Sequence, residues 1–184
     1  MEVLEAIRGR RSTRSYQATP VSDEDLGLVL EAARWAPSWA NTQCWRFIVV
    51  RDRAVKAQLA DMLKANRAAR GVRQAPLLIV ACAQLGQSGY FDGQPATDKG
   101  DWYMYDAALA MQNLALAAHS LGLATVHIGR FDGRAAAAIL AVPPGFAVVS
   151  MTPLGYPDEV AEPPPRQELA EIVFNDRFGV KFLG

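Results

Sequence analysis

Several things that direct function are scarce in this chain of 184 residues. It has two histidines, two cysteines and no excess of either charge, with 19 Lys+Arg against 19 Asp+Glu. His119 and His127 stand in no ligand spacing with Cys, Asp or Glu, so a metal centre is not expected. Cys44 and Cys82 form no disulfide framework. A neutral chain is a poor match for broad binding to nucleic acid or to an anionic membrane. Long hydrophobic runs are missing too. The longest, "PLLIVACA" (76–83), is too short to span a bilayer. The start, "MEVLEAIRGR", is amphipathic and lacks the apolar core of a secretory signal. A cytoplasmic, reduced protein is therefore expected. There is no G-x-S-x-G and no G-x-G-x-x-G after a strand, which argues against a nucleophile-elbow hydrolase and a Rossmann nucleotide site.

What is present suits a folded core. Hydrophobic residues make up 51% and charged residues 21%, as in ordinary soluble proteins. The length suits one domain, 1–184, and no repeat or linker divides it. Residues 2–8 place Val3, Leu4 and Ile7 on one helical face, and Gly9 ends that helix. Ser22 as N-cap and Pro37 as stop predict a helix from about Ser22 to Trp35. "RFIVV" (46–50) reads as a buried strand. Residues 53–72 are helical in composition, with a break near Ala65–Asn66. "PLLIVACA" is apolar without alternation, so it reads as a strand buried on both faces. Residues 102–122 form a long helix, apolar nearly all round, for the core or a subunit interface. "LATVHIG" (123–129) and "GFAVVSMTPLG" (145–155) are further strands, with a short helix between them. The sum is an α+β domain with a central, mostly antiparallel sheet of four to five strands flanked by helices.

Three segments can carry chemistry. "RGRRSTR" (8–14) gathers four arginines in an otherwise neutral chain. Arginine grips phosphate through a rigid donor fork, and Ser12 and Thr13 add hydroxyls. An ordinary solvated basic face is the competing reading. "PSWANTQCW" (37–45) sets Asn41 and Gln43, each donor and acceptor, between Trp39 and Trp45 in turn chemistry. Those amides either read a heterocycle edge or bond their own backbone. "IGRFD" (128–132) puts Gly129 after a strand, where backbone N–H groups can meet a ligand. Asp132 as an N-cap is the plainer reading there. The Gly-rich loop 84–101 is long enough to be functional or mobile. Within 86–103, Tyr90, Phe91, Trp102 and Tyr103 offer flat faces for stacking.

Taken in order, "RRSTRSY", "APSWANTQCWRFIVV", "QAPLLIVACA", "YDAALAMQNLALAAHSLGLATVHIGRFD" and "TPLGYPDE…PPPRQELAEIV" resemble the nitroreductase family of flavoproteins over nearly the whole chain. The resemblance implies an intertwined homodimer with FMN at the interface. It implies reduction by NADH or NADPH, then electron transfer to a small planar acceptor in a ping-pong cycle. By matching motifs, Arg10, Arg11, Ser12 and Arg14 would bind the FMN phosphate and ribityl chain, and Arg166 would also meet the phosphate. Pro37, Ser38, Trp39 and Asn41 would come from the partner subunit to line the ring, with Gln43 near that loop's end. Ile128, Gly129 and Arg130 would pass behind the ring, with a backbone N–H near flavin N5.

Two departures stand out. The family commonly has Gln-Pro-Trp where this chain has Gln43-Cys44-Trp45, which places a thiol in the loop. Family members often set a basic or amide side chain near the flavin O2 and N1. Here Asn66, Arg67, Arg70 and Arg73 are on offer, and Arg70 is the choice. Arg8 falls outside the phosphate reading. The acceptors implied are nitroaromatics, quinones, flavins or enones. Flavin fragmentation, reductive dehalogenation and non-catalytic flavin binding are the alternatives within the same resemblance.

Overall fold

The strand β2, Leu77–Gln84, lies at the centre of the molecule. A computed structural model describes residues 1–63 and 66–182. β2 pairs antiparallel with β1, Trp45–Val50, on one side and with β5, Phe146–Leu154, on the other. Every residue from Leu77 to Ala83 is buried. Side chains alternate across a strand, so β2 feeds two cores at once. Leu77, Ile79 and Ala81 pack with Val29, Ala33 and Leu114. Leu78, Val80 and Cys82 pack with Leu59, Val72 and Met151. Each large side chain so buried contributes roughly 1.5–3 kcal/mol.

The helices follow from local signals. α1 is Val3–Gly9 and α2 is Asp23–Arg34. The Ser22 hydroxyl accepts the Asp25 N–H at 3.0 Å and starts α2 as expected. α3, Arg53–Met62, and α4, Ala69–Gln74, cover the second core. The break expected at Ala65–Asn66 falls partly outside the described residues; Asn66 itself accepts the Ala68 N–H before α4 begins. Two short strands, β3 (Tyr90–Phe91) and β4 (Gln94–Pro95), pair as a small hairpin inside the Gly-rich loop. α5, Tyr103–Ser120, packs on α2 and the sheet. α6 is Gly133–Ile139, capped by Asp132, and α7 is Leu169–Ile172. No helix among the described residues is long and apolar enough to cross a membrane.

One expectation changes form. Three strands make a continuous ladder, and segment 123–129 joins it only through single bridges, Ala124 to Gly155 and Ile128 to Met151. The cause is chemical. Pro153 has no N–H to donate, and the Val126 N–H turns to the Thr152 hydroxyl at 3.2 Å instead of a carbonyl. Thr125, between the two bridges, turns its backbone groups away from β5 and pairs with Ser12 in parallel.

Candidate functional site

The arginine segment is pinned to that interrupted margin. The Thr13 N–H donates to the Thr125 carbonyl at 3.0 Å. The buried Tyr16 hydroxyl donates to the Thr13 carbonyl at 2.7 Å. Thr13 points inward and is buried, while Ser12 is half-buried and Arg14 exposed. Burial lowers the Arg10 pKa, and the neighbouring charges of Arg11 and Arg166 lower it further. Arg166 thus returns to Arg10 from the far end of the chain. Burial, Arg10 and Arg11 also hold His119 below its ordinary value. His119 sits close: a Cβ on Gly9 would lie 2.5 Å from its Nε2.

No carboxylate answers this charge. Among the described residues, none of Arg8, Arg10, Arg11, Arg14 and Arg166 forms a salt bridge. Arg11 Nη1 donates to the carbonyls of Arg8 (2.6 Å) and Arg10 (3.0 Å). Arg14 Nη1 donates to the Ser12 carbonyl, and Arg166 Nη1 to that of Pro164. Guanidinium groups held together against their repulsion suit a dianion such as a phosphate. α4 presses against the same segment. A Cβ on Gly71 would lie 2.9 Å from the Arg14 carbonyl oxygen, so only glycine lets the helix approach. Arg70 precedes that contact and is exposed.

The loop 37–45 is built differently. Trp39–Asn41 form a 3-10 turn, and Ala40, Asn41 and Gln43 have φ of 45°, 57° and 47°. Such left-handed residues cost free energy unless the surroundings hold them. Gln43 N–H donates to the Ser38 hydroxyl at 3.0 Å, and Gln43 Nε2 donates to Asn41 Oδ1 at 3.1 Å. The amides therefore bond within the loop, while both residues remain exposed. Pro37 is exposed, and Trp39 meets Phe91 of the hairpin edge-on at 6.4 Å. Trp102 instead packs under Gly89 and against Tyr105, at the start of α5. Of Tyr90, Phe91, Trp102 and Tyr103, Phe91 keeps the most open face, 70% exposed.

The third segment borders a groove of about 390 Å³ lined by Met104, Ala108, Gln112, His127, Gly129 and Ser150. Ile128 is buried and exchanges both backbone bonds with Met151. Beyond it, nothing lies within 4 Å of where a Gly129 Cβ would be. Among the described residues, neither the Gly129 nor the Arg130 N–H has a protein acceptor. Open space above two free N–H groups fits a flat ligand with acceptor atoms along its edge. Arg130 is exposed beside it.

Cys44 is not poised for chemistry. Burial first, and the Asp106 carboxylate second, push its thiol up to about 11. The thiolate is the reactive form. In native protein, alkylation of Cys44 by iodoacetamide is expected to be negligible at pH 8 and to rise between about pH 9 and 11. Full labelling at pH 8 without unfolding would contradict this.

The chain brings Arg10, Arg11 and Arg166 together, with Ser12 and Arg14 alongside and α4 against them. It does not bring Pro37–Gln43 to them. Trp39 is tied to Asp106 near the start of α5, and Arg10 lies by His119 near its end. At 1.5 Å per residue, that stretch of helix is roughly 20 Å long. Asp106, Ser88 and Gly71 support the site without having been singled out in the sequence. The one acid in an otherwise apolar helix was the available signal for Asp106.

Among the described residues, the frame gathers arginines without salt-bridge partners by His119 and opens a groove at Gly129, and comparison with known proteins gives its class. The Nitroreductase family matches residues 7–156. A putative NADH dehydrogenase/NAD(P)H nitroreductase of Archaeoglobus fulgidus is 36% identical over 162 residues, covering 86% of this chain and 87% of that protein. A 5,6-dimethylbenzimidazole synthase of Rhodospirillum rubrum is 31% identical over 172 residues, 82% of this chain and 79% of its own. A solved structure of a putative NADH dehydrogenase/NAD(P)H nitroreductase from Parabacteroides distasonis superposes with a TM-score of 0.83 at 26% identity, covering 96% of this chain and 98% of that one. The chain belongs to the nitroreductase family, a family of oxidoreductases.

Proposed function

We propose that the protein is an FMN-dependent oxidoreductase. It would take electrons from NADH or NADPH and reduce nitroaromatic, quinone, flavin or enone-type acceptors by a ping-pong cycle. The observation that carries this reading is the uncompensated group of Arg10, Arg11 and Arg166, with the segment of Arg10 and Arg11 bonded to Thr125, four residues before Gly129 and its groove. When bound, FMN supplies the redox chemistry. The protein binds and orients. Arg10, Arg11, Ser12, Arg14 and Arg166 hold the phosphate and ribityl chain. Arg70, on the helix packed against Arg14, serves the pyrimidine edge, where a cation favours the reduced, anionic ring. The free N–H groups of Gly129 and Arg130 would be the donors offered to the ring. No side-chain acid or base is required.

The site is completed across a homodimer. Its two halves lie at opposite ends of α5, so a second chain must supply Pro37, Ser38, Trp39, Asn41 and Gln43. α1 supports this arrangement. Val3, Leu4 and Ile7 share a face expected to be covered, yet they are 69%, 63% and 50% exposed in the single chain. An apolar face of that kind marks an interaction site.

Purified protein is expected to be yellow and to bleach anaerobically with NADH or NADPH, with steady oxidation when a quinone is added. A colourless protein that takes up no FMN overturns the reading. The relative named as a synthase shows that reaction type varies within the family. Product analysis after incubation with reduced FMN and oxygen separates flavin fragmentation from simple reoxidation.

A further inference from the structure

α5 carries one acidic residue, Asp106, and it is 1% exposed. No Lys, Arg or His among the described residues pairs with it. A buried carboxylate is stable only when hydrogen-bonded. Its donors come from two segments distant in sequence. From the loop 37–45, the Trp39 N–H lies 3.1 and 3.3 Å from the two oxygens, the Thr42 hydroxyl 3.5 Å and the Cys44 thiol 3.8 Å from Oδ2. From the Gly-rich loop, the Ser88 hydroxyl donates to the same Oδ2 at 2.6 Å.

Both segments need an outside anchor. The first holds three left-handed non-glycine residues within four positions. The second is exposed from Phe91 to Lys99, and its roots are Ser88, Gly89 and Tyr90, with the Gly86 N–H on Asp101 and the Phe91 ring on Trp39. The Trp102 N–H donates to the Ser88 carbonyl at 3.0 Å, so Ser88 is held to the helix by backbone as well as hydroxyl.

We propose that Asp106 is a positioning residue that holds the flavin-facing loop in its strained shape and ties the Gly-rich loop to the same carboxylate. Ordering of one segment is then passed to the other. This makes the Gly-rich loop an acceptor lid whose closure depends on an ordered flavin loop, and it rests on the FMN reading above. The polar link runs through Oδ2, which both Ser88 and the Thr42–Cys44 side contact, beside the edge-on Trp39–Phe91 ring contact between the same two segments.

The test combines FMN titration with amide hydrogen exchange on the dimeric protein, without and with FMN. In wild type, FMN is expected to slow exchange in 86–101 as well as in 37–43. Ser88→Ala is expected to weaken FMN less than Asp106→Asn does, since it leaves the loop 37–45 its own bonds to the carboxylate, and to lose the slowing in 86–101. Asp106→Asn is expected to weaken FMN by about tenfold, the scale of one hydrogen bond to a charged group, and to lose the slowing too. Unchanged protection of 86–101 in Ser88→Ala overturns the proposal, as does unchanged FMN affinity in Asp106→Asn. If wild type takes up no FMN, the functional reading fails by itself, and the anchor is judged in the apoprotein. There Asp106→Asn must speed exchange in 37–43 and 86–101 while β2 stays protected. Uniform acceleration, β2 included, reduces Asp106 to a structural residue and overturns the proposal.

Discussion

Arg10→Ala is expected to weaken FMN binding by roughly ten- to a hundredfold, the equivalent of losing one charge-assisted hydrogen bond of about 1.5–3 kcal/mol. Arg10 is half-buried and feels the charges of both Arg11 and Arg166. A partly buried charge is less screened by salt than an exposed one, so its contact with phosphate counts for more. Arg14→Ala is expected to weaken binding as well. Arg8→Ala should leave it nearly unchanged, because Arg8 takes part only through its backbone carbonyl, which the substitution keeps. Flavin fluorescence titration of the three variants at low and moderate salt measures this. Equal losses from all three would return the cluster to a diffuse basic patch.

Gly71→Ala is expected to lower stability by about 1–3 kcal/mol, the usual cost of overpacking. The new Cβ would meet the Arg14 carbonyl oxygen at 2.9 Å and the Tyr16 ring at 3.0 Å. A backbone oxygen cannot step aside as a flexible side chain does. Either α4 lifts or the arginine segment shifts, so FMN affinity should fall with stability. Gly27→Ala is the matched control. Gly27 lies in α2 with nothing within 4 Å of the new carbon, and alanine there should add about 0.5–1 kcal/mol through helix propensity. Thermal unfolding of the two variants should therefore move in opposite directions. A Gly71→Ala protein as stable as wild type would show that the contact can relax.

Local signals were the legible part of the fold. Ser22 and its following acids mark the start of α2, and the unbroken apolar run of β2 marks a strand buried on both faces. Asp132 reads as a cap and is one. Non-local competition was not legible. The fourth strand fades because Pro153 lacks a donor and Thr152 offers a rival acceptor, which depends on register rather than composition. The approach of Arg166 to Arg10 follows from tertiary folding, and only the family resemblance anticipated it. Gly71 looked like any helical glycine until the Arg14 backbone lay against it. Asp106 stood in plain view as the sole acid of α5, but its partners lie in two loops that no periodicity connects. The exposed face of α1 shows the same limit: its apolar pattern predicts a covered surface without naming what covers it.

The length of α5 between its two half-sites has a genetic consequence. In the proposed homodimer, each site draws its arginines from one chain and its strained loop from the other, so defects in the two halves should complement one another within a single gene. Pairing an Arg10→Ala chain with an Asp106→Asn chain concentrates both lesions in one site of the heterodimer. The other site then inherits sound arginines from one parent and a sound loop from the other. Two weakly binding proteins, mixed and allowed to exchange subunits, would regenerate sites of full affinity that neither homodimer contains.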